Sequence, residues 1–163
     1  MYSAYQLDTK QRDFLLKQFP PRYLRVIADH ITVCFGGNNI PLPEPAKKVE
    51  MIGMADDNNG LQALIVRVDN QLVRADGQIY HITWSLDPNK KVLPDIDSTP
   101  NQTYKPVHSN RLIMGLMNRD GIQKQDCNPD WKLDFFAEPI LLHTKPVLKL
   151  TSSELKKQAL KEL

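Results

Sequence analysis

Asp29-His30-Ile31-Thr32-Val33-Cys34-Phe35 and Tyr80-His81-Ile82-Thr83-Trp84-Ser85-Leu86 carry the same tripeptide, His-Ile-Thr, twice in one chain of 163 residues. Both stretches alternate in the manner of a half-buried β-strand. Along a strand, residues i and i+2 point to one face, roughly 6–7 Å apart. His30 therefore shares a face with Thr32, and His81 with Thr83. The opposite faces are apolar: Ile31, Val33 and Phe35 in the first stretch, Ile82, Trp84 and Leu86 in the second. Such a strand sets its apolar side on a core and presents imidazole and hydroxyl on the other.

The chain has four histidines, and two of them have threonine at the second following position. Thr is common in strands for its β-propensity alone. The shared Ile and the matching apolar backs make the repetition a functional pair rather than two ordinary strands. Two histidines on facing strands suit in-line displacement at phosphorus. A neutral imidazole takes the proton of the attacking group and an imidazolium gives one to the leaving oxygen. The threonine hydroxyls reach the non-bridging oxygens where charge builds up. Such a site needs no metal and no other cofactor, and the sequence offers no zinc or two-metal carboxylate cluster.

The double motif resembles the signature of the 2H phosphoesterase superfamily, two H-x-[TS] motifs on strands in two pseudo-symmetric lobes. The resemblance spans most of the chain. Lys105-Pro106-Val107-His108-Ser109-Asn110 is similar to the K-P-x-x-S-N element that follows the second motif in the phosphodiesterase domain of fungal and plant tRNA ligases. Phage-encoded anti-CBASS phosphodiesterases, which destroy cyclic oligonucleotide signals, are similar in size and motif layout. The resemblance implies catalysis by His30, Thr32, His81 and Thr83. It also implies substrate-binding positions at Lys105, Ser109 and Asn110. The two tyrosines of the first segment, Tyr2 and Tyr5, read as packing residues, with stacking on a base as the alternative, and on that alternative Tyr5 joins the candidate substrate-binding positions. The implied substrate is a cyclic or short oligonucleotide messenger or an RNA 2′,3′-cyclic phosphate end. The different-class alternative is a module that sequesters RNA or nucleotide without turnover.

The expected fold is a single α+β domain over residues 1–163. It is two-lobed, with mainly antiparallel sheets, outer helices and a central cleft. Against 21 basic residues stand 19 acidic ones, a net charge of +2. That balance makes no strong bid for duplex DNA or a membrane surface. No apolar run reaches membrane-spanning length, and no basic-then-apolar leader opens the chain. Cys34 and Cys127 lack metal-ligand spacing and read as free thiols of a reducing compartment. The expected location is the cytoplasm, that of the host if the chain is phage-encoded.

Met1 to Leu7 reads as a first strand or arm, and Lys10 to Phe19 as a helix capped by Asp8 or Thr9 and stopped by Pro20 and Pro21. Phe14, Leu15, Gln18 and Phe19 fall near one face of it. Leu24 to Ile27 feeds directly into the first motif strand. Gly36-Gly37-Asn38-Asn39 is loop punctuation, since no Gly-Lys-Ser/Thr completes a phosphate loop. Val49–Ala55 and Leu61–Val68 pair across the turn Asp56-Asp57-Asn58-Asn59-Gly60, and a short strand lies near Leu72 and Val73. Asn89 to Tyr104 is a long loop placed to cover a substrate. Ser109 caps a helix running to Met117 with Leu112, Ile113, Leu116 and Met117 as its stripe. Trp131–Phe136 and Ile140–His143 are two further strands. Thr151-Ser152-Ser153-Glu154 is a capping box for a terminal helix with Leu155, Ala159, Leu160 and Leu163 on its apolar side. His108 reads as a loop or helix-start residue and His143 as a strand-end surface residue. Cys34 falls on the His30/Thr32 face, roughly 13 Å from His30 along the strand and so out of direct reach.

Overall fold

The computed structural model describes residues 1–36, 39–89, 108–117 and 129–162. Residues 90–107 and Cys127 lie outside the described residues. With them go nearly all of the expected covering loop and the first half of the K-P-x-x-S-N element, Lys105 included.

The chain is α+β, with two antiparallel sheets and three helices among the described residues. Strand β1 (Tyr2–Leu7) is the middle of a three-stranded sheet, flanked by β3 (His30–Phe35) and β8 (Thr144–Lys149). The second sheet has five strands in the order β2 (Arg25–Val26), β6 (His81–Leu86), β5 (Leu61–Val68), β4 (Val49–Asp56) and β7 (Lys132–Leu142). The two His-Ile-Thr strands thus belong to different sheets.

The turn between β4 and β5 explains its own residues. Asp57 accepts from the backbone N–H of Asn59 at 2.8 Å and of Leu61 at 2.9 Å, the local bonding that makes Asp favourable in turns. Helix α1 (Thr9–Gln18) starts where the Asp8 carboxylate accepts from the Gln11 N–H at 3.1 Å. Its only buried residue is Leu15; Phe14, expected on the same face, is 65 % exposed. Helix α2 (Ser109–Met117) buries Leu112, Ile113 and Leu116 as the periodicity requires. Helix α3 (Ser152–Lys161) has the full capping box at Thr151 and Glu154. Its expected apolar side is not buried, for Leu155 and Leu160 are largely exposed.

Two buried clusters sit on opposite faces of the five-stranded sheet. One gathers Ile31 of β3, Ile82 and Trp84 of β6, Leu64 and Val66 of β5, Tyr5 and Leu7 of β1 and Leu15 of α1. Ile31 and Val33 of the first motif strand and Ile82 and Trp84 of the second therefore meet in one core, which offsets the entropy of ordering them by roughly 1.5–3 kcal/mol per fully buried large side chain. Phe35 and Leu86, expected with them, do not join it, for Phe35 is exposed and Leu86 packs against the other cluster. The other cluster joins Ala63 and Ile65 to Leu112, Ile113 and Leu116 of α2.

Three departures from the sequence reading concern strand continuity. Leu24–Ile27 does not run straight into the motif strand. Arg25 and Val26 pair with Leu86 and Ser85 of β6, and the ladder continues from Ile27 N–H to Trp84 and from Ala28 N–H to Thr83, each at 3.0 Å. Carried two residues further, that register would set His30 opposite His81. At Ala28, φ is 43°, a left-handed conformation that costs an Ala roughly 1–2 kcal/mol. The chain leaves the five-stranded sheet there and enters the other as β3. The Arg12 guanidinium holds this corner, donating to the carbonyls of Ala28 (2.7 Å) and Ile27 (3.1 Å). Trp131–Phe136 and Ile140–His143 are not separate strands but one strand, β7, whose register on β4 shifts between Met51 and Gly53. The last strand, β8, spans a stretch to which the sequence reading assigns no element; its Pro146 is tolerated since β8 is an edge strand.

Candidate functional site

Each motif strand carries a β-bulge directly after its threonine. On β3, Ala4 faces Thr32 and Ser3 faces Cys34, so Val33 is the extra residue. On β6, Ala63 faces Thr83 and Gln62 faces Ser85, so Trp84 is the extra residue. Bulges bend the strand and re-aim side chains, and they are enriched beside active sites. The repetition in sequence is thus matched by a repetition in backbone geometry, and β3 lies beside β6 where the two sheets meet.

The bulge at Val33 corrects the expected facing of β3. Gln6/His30, Ala4/Thr32 and Tyr2/Phe35 are opposed pairs and share one face; Tyr5/Ile31 and Ser3/Cys34 share the other. Phe35 therefore joins the His30/Thr32 face, and Cys34 leaves it.

His81 is 9 % exposed. Its Nδ1 lies 2.8 Å from the carbonyl oxygen of Ile79. A carbonyl only accepts, so Nδ1 donates and Nε2 of the neutral ring carries the lone pair. Burial pushes the imidazole down to about 4; the Ile79 carbonyl opposes this, while the charges of Arg74, His108 and His30 add to it. His30 is thus near enough to His81 for charge on one to disfavour charge on the other.

His30 has a different environment. Its Nδ1 lies 3.0 Å from the Asp29 carboxylate, and its Nε2 lies 3.4 Å from the Tyr2 hydroxyl. Burial lowers its pKa, the Asp29 carboxylate opposes that fall, and the Lys149 ammonium adds to it. Burial alone would raise the Asp29 carboxyl, but hydrogen bonds from Lys149, Gln6 and His30 outweigh it and hold the group at about 2. Asp29 is therefore a carboxylate throughout the neutral range and favours the charged form of His30.

The other expected residues divide. Thr83 and Ser109 are brought together, hydroxyl to hydroxyl at 2.9 Å. Ser109 is the first residue of α2 rather than its cap. The preceding His108 takes that role: its carbonyl accepts from the Leu112 N–H at 3.0 Å and its Nδ1 from the Asn110 N–H at 3.3 Å. Asn110 is half-buried, and its Oδ1 is buried without a hydrogen-bond partner among the described residues. Thr32, half-buried on β3, makes no hydrogen bond through its hydroxyl among the described residues. Tyr5 is a correction. It opposes Ile31, on the face away from His30; it is 7 % exposed, and its hydroxyl donates to the Glu44 carbonyl at 2.7 Å. It packs the core and cannot stack on a substrate base. His143 is exposed between β7 and β8, as expected.

Sequence reading passed over three residues at the site and gave Tyr2 no contact with the first motif. Asp29 had a local signal, an acid directly before the motif histidine. Lys149 and Arg74 had none, because only the folded chain brings them near. Lys149 bonds Asp29 and, at 2.8 Å, the Gln6 side-chain oxygen. The buried Arg74 guanidinium is gripped by both oxygens of Asp76, at 3.0 and 2.7 Å.

Among the described residues no three His, Cys, Asp or Glu side chains gather closely enough to hold a metal ion, and no helix is long and apolar enough to cross a membrane. No family model, no curated protein and no solved structure matches the chain.

Proposed function

We propose that the chain is a phosphodiesterase of the 2H phosphoesterase type, two-lobed, with the two His-Ile-Thr motifs lining a cleft between the lobes. Its substrates are nucleotide phosphodiesters, either cyclic or short oligonucleotide messengers or RNA 2′,3′-cyclic phosphate ends. The observation that carries this reading is the paired motif: the same tripeptide, followed by the same bulge, on two neighbouring strands whose central isoleucines, Ile31 and Ile82, share one core.

The two imidazoles differ in a way that supports distinct roles. His81 stays neutral at physiological pH with Nε2 as its basic atom. It is the general base, taking a proton from water as the water oxygen bonds to phosphorus. His30, backed by the Asp29 carboxylate, is the general acid, giving its Nε2 proton to the oxygen that leaves as its bond to phosphorus breaks. Each role is worth typically ~10²–10⁴-fold. Thr32 and Thr83 donate to the non-bridging oxygens, with Ser109 orienting the Thr83 hydroxyl.

The test is product analysis by mass spectrometry after incubation with nucleoside 2′,3′-cyclic phosphates and cyclic oligonucleotides, in the presence of EDTA. Hydrolysis of one class by the parent protein, and none by His30→Ala or His81→Ala, supports the reading. Ligands recovered bound but intact would indicate a sequestering module instead.

A further inference from the structure

The bulge at Val33 does more than bend β3. It rotates Phe35 onto the face that bears His30 and Thr32. There the Tyr2 ring lies between the two, its centroid 5.3 Å from that of His30 and 5.4 Å from that of Phe35. Tyr2 is half-buried, whereas Phe35 is 56 % exposed. An aromatic ring held by a second ring on one side, and open to solvent over most of its surface, is placed to receive a third.

The spacing fits a nucleotide. Thr32 opposes Ala4 and Phe35 opposes Tyr2, so two residues of β1, roughly 7 Å, separate the proposed phosphate donor from the exposed ring. We propose that Phe35, braced by Tyr2, is the platform on which the substrate stacks the nucleobase attached to the phosphate held at His30 and Thr32. The position of the phosphate rests on the phosphodiesterase reading above. Base–aromatic stacking tolerates any base, since every base has a π-face, and stacking on one side chain is worth on the order of ten- to a hundredfold in affinity. Recognition at this position selects for the presence of a base, with the larger purines favoured over pyrimidines.

Calorimetry with the full chain tests this using adenosine 3′-monophosphate and ribose 5-phosphate as probes, with Phe35→Leu and Phe35→Trp as variants. The exposure of Phe35 leaves both variants room to fold, and circular dichroism checks that they do. The parent protein should bind the adenosine ligand at least tenfold more tightly than the ribose ligand. Phe35→Leu should lose that preference while still binding ribose 5-phosphate, and Phe35→Trp should keep it. Equal binding of the two ligands by the parent, or an unchanged preference in Phe35→Leu, overturns the proposal. Turnover separates it from the catalytic reading. If adenosine 2′,3′-cyclic phosphate is hydrolysed with the same KM by Phe35→Leu, stacking fails and the phosphodiesterase stands. If the parent hydrolyses no nucleotide yet shows the Phe35-dependent preference, the phosphodiesterase fails and stacking stands.

Discussion

Val33 and Trp84 occupy the same place in their strands: each is the extra residue of a β-bulge, and each directly follows the threonine of a His-Ile-Thr tripeptide. A bulge changes which residues share a face. At Val33 it lifts Phe35 to the side of His30. At Trp84 it leaves Thr83 and His81 opposed to Ala63 and Ile65, on the α2 side, while Ile82 and Trp84 stay fully buried on the other.

The environment of His81 predicts a pH dependence of stability. Its pKa in the folded chain is about 4, against an ordinary 6.5. Between those values the unfolded chain binds the proton more readily. The contribution is therefore complete above pH 6.5 and is lost as pH falls toward about 4, a loss on the order of 3 kcal/mol. Urea unfolding at a series of pH values should show that slope in the parent protein and a shallower one in His81→Gln. Identical slopes would mean that His81 titrates normally in the folded state.

Asp29 predicts a shift in catalysis. In Asp29→Asn the carboxylate that opposes the fall in the His30 pKa is gone, and Lys149, still bonded to Gln6, keeps its charge nearby with no carboxylate to balance it. The His30 pKa should fall further. The high-pH limb of the kcat/KM profile, which reports loss of the acid form, should then move to lower pH. An unmoved limb would contradict the assignment of His30 as the acid.

Much of this was legible in the sequence, and what was not has a common cause. The motif strands, the β4–β5 turn and the α3 capping box are local patterns, written in a few adjacent residues. The change of sheet at Ala28 has no such signal, since an alanine in the left-handed region announces nothing. The bulges at Val33 and Trp84 belong to the pairing of two strands, and alternation within one strand cannot show them. Reading straight through Val33 put Phe35 on the buried side and Cys34 beside His30, both reversed by one residue of register. Tyr5 and Tyr2 looked equivalent, and only the facing of β1 distinguishes a core residue from one touching His30.

Thr83 and Ser109 form a mutant cycle, with Thr32 as a single comparison. Thr32→Ala and Thr83→Ala should each cost on the order of 10–10³-fold in kcat/KM, as for one lost oxyanion-type donor. Ser109→Ala should cost less than Thr83→Ala and nothing further once Thr83 is gone, because the two hydroxyls are bonded to each other. Additive losses in steady-state kinetics would show that Ser109 acts apart from Thr83.

Gly53 tests the joined strand β7. A Cβ at this position would lie 2.9 Å from the backbone oxygen of Asp134, next to the register shift between Met51 and Gly53. Gly53→Ala should destabilise the fold by about 1–3 kcal/mol in denaturant unfolding. An unchanged midpoint would mean that β4 and β7 do not approach closely there.

The central claim is that His30 and His81 act as one proton-transfer pair, and a double-mutant cycle on the turnover of a nucleotide phosphodiester tests it most directly. Rates are measured for the parent protein, His30→Ala, His81→Ala and the double variant, all with EDTA present and all shown to be folded. Each single variant should lose orders of magnitude, and the double variant should be little slower than the slower single, because partners in one step are not additive. Full activity in His81→Ala, or losses that multiply in the double variant, would contradict the account and leave the two His-Ile-Thr strands as structure alone.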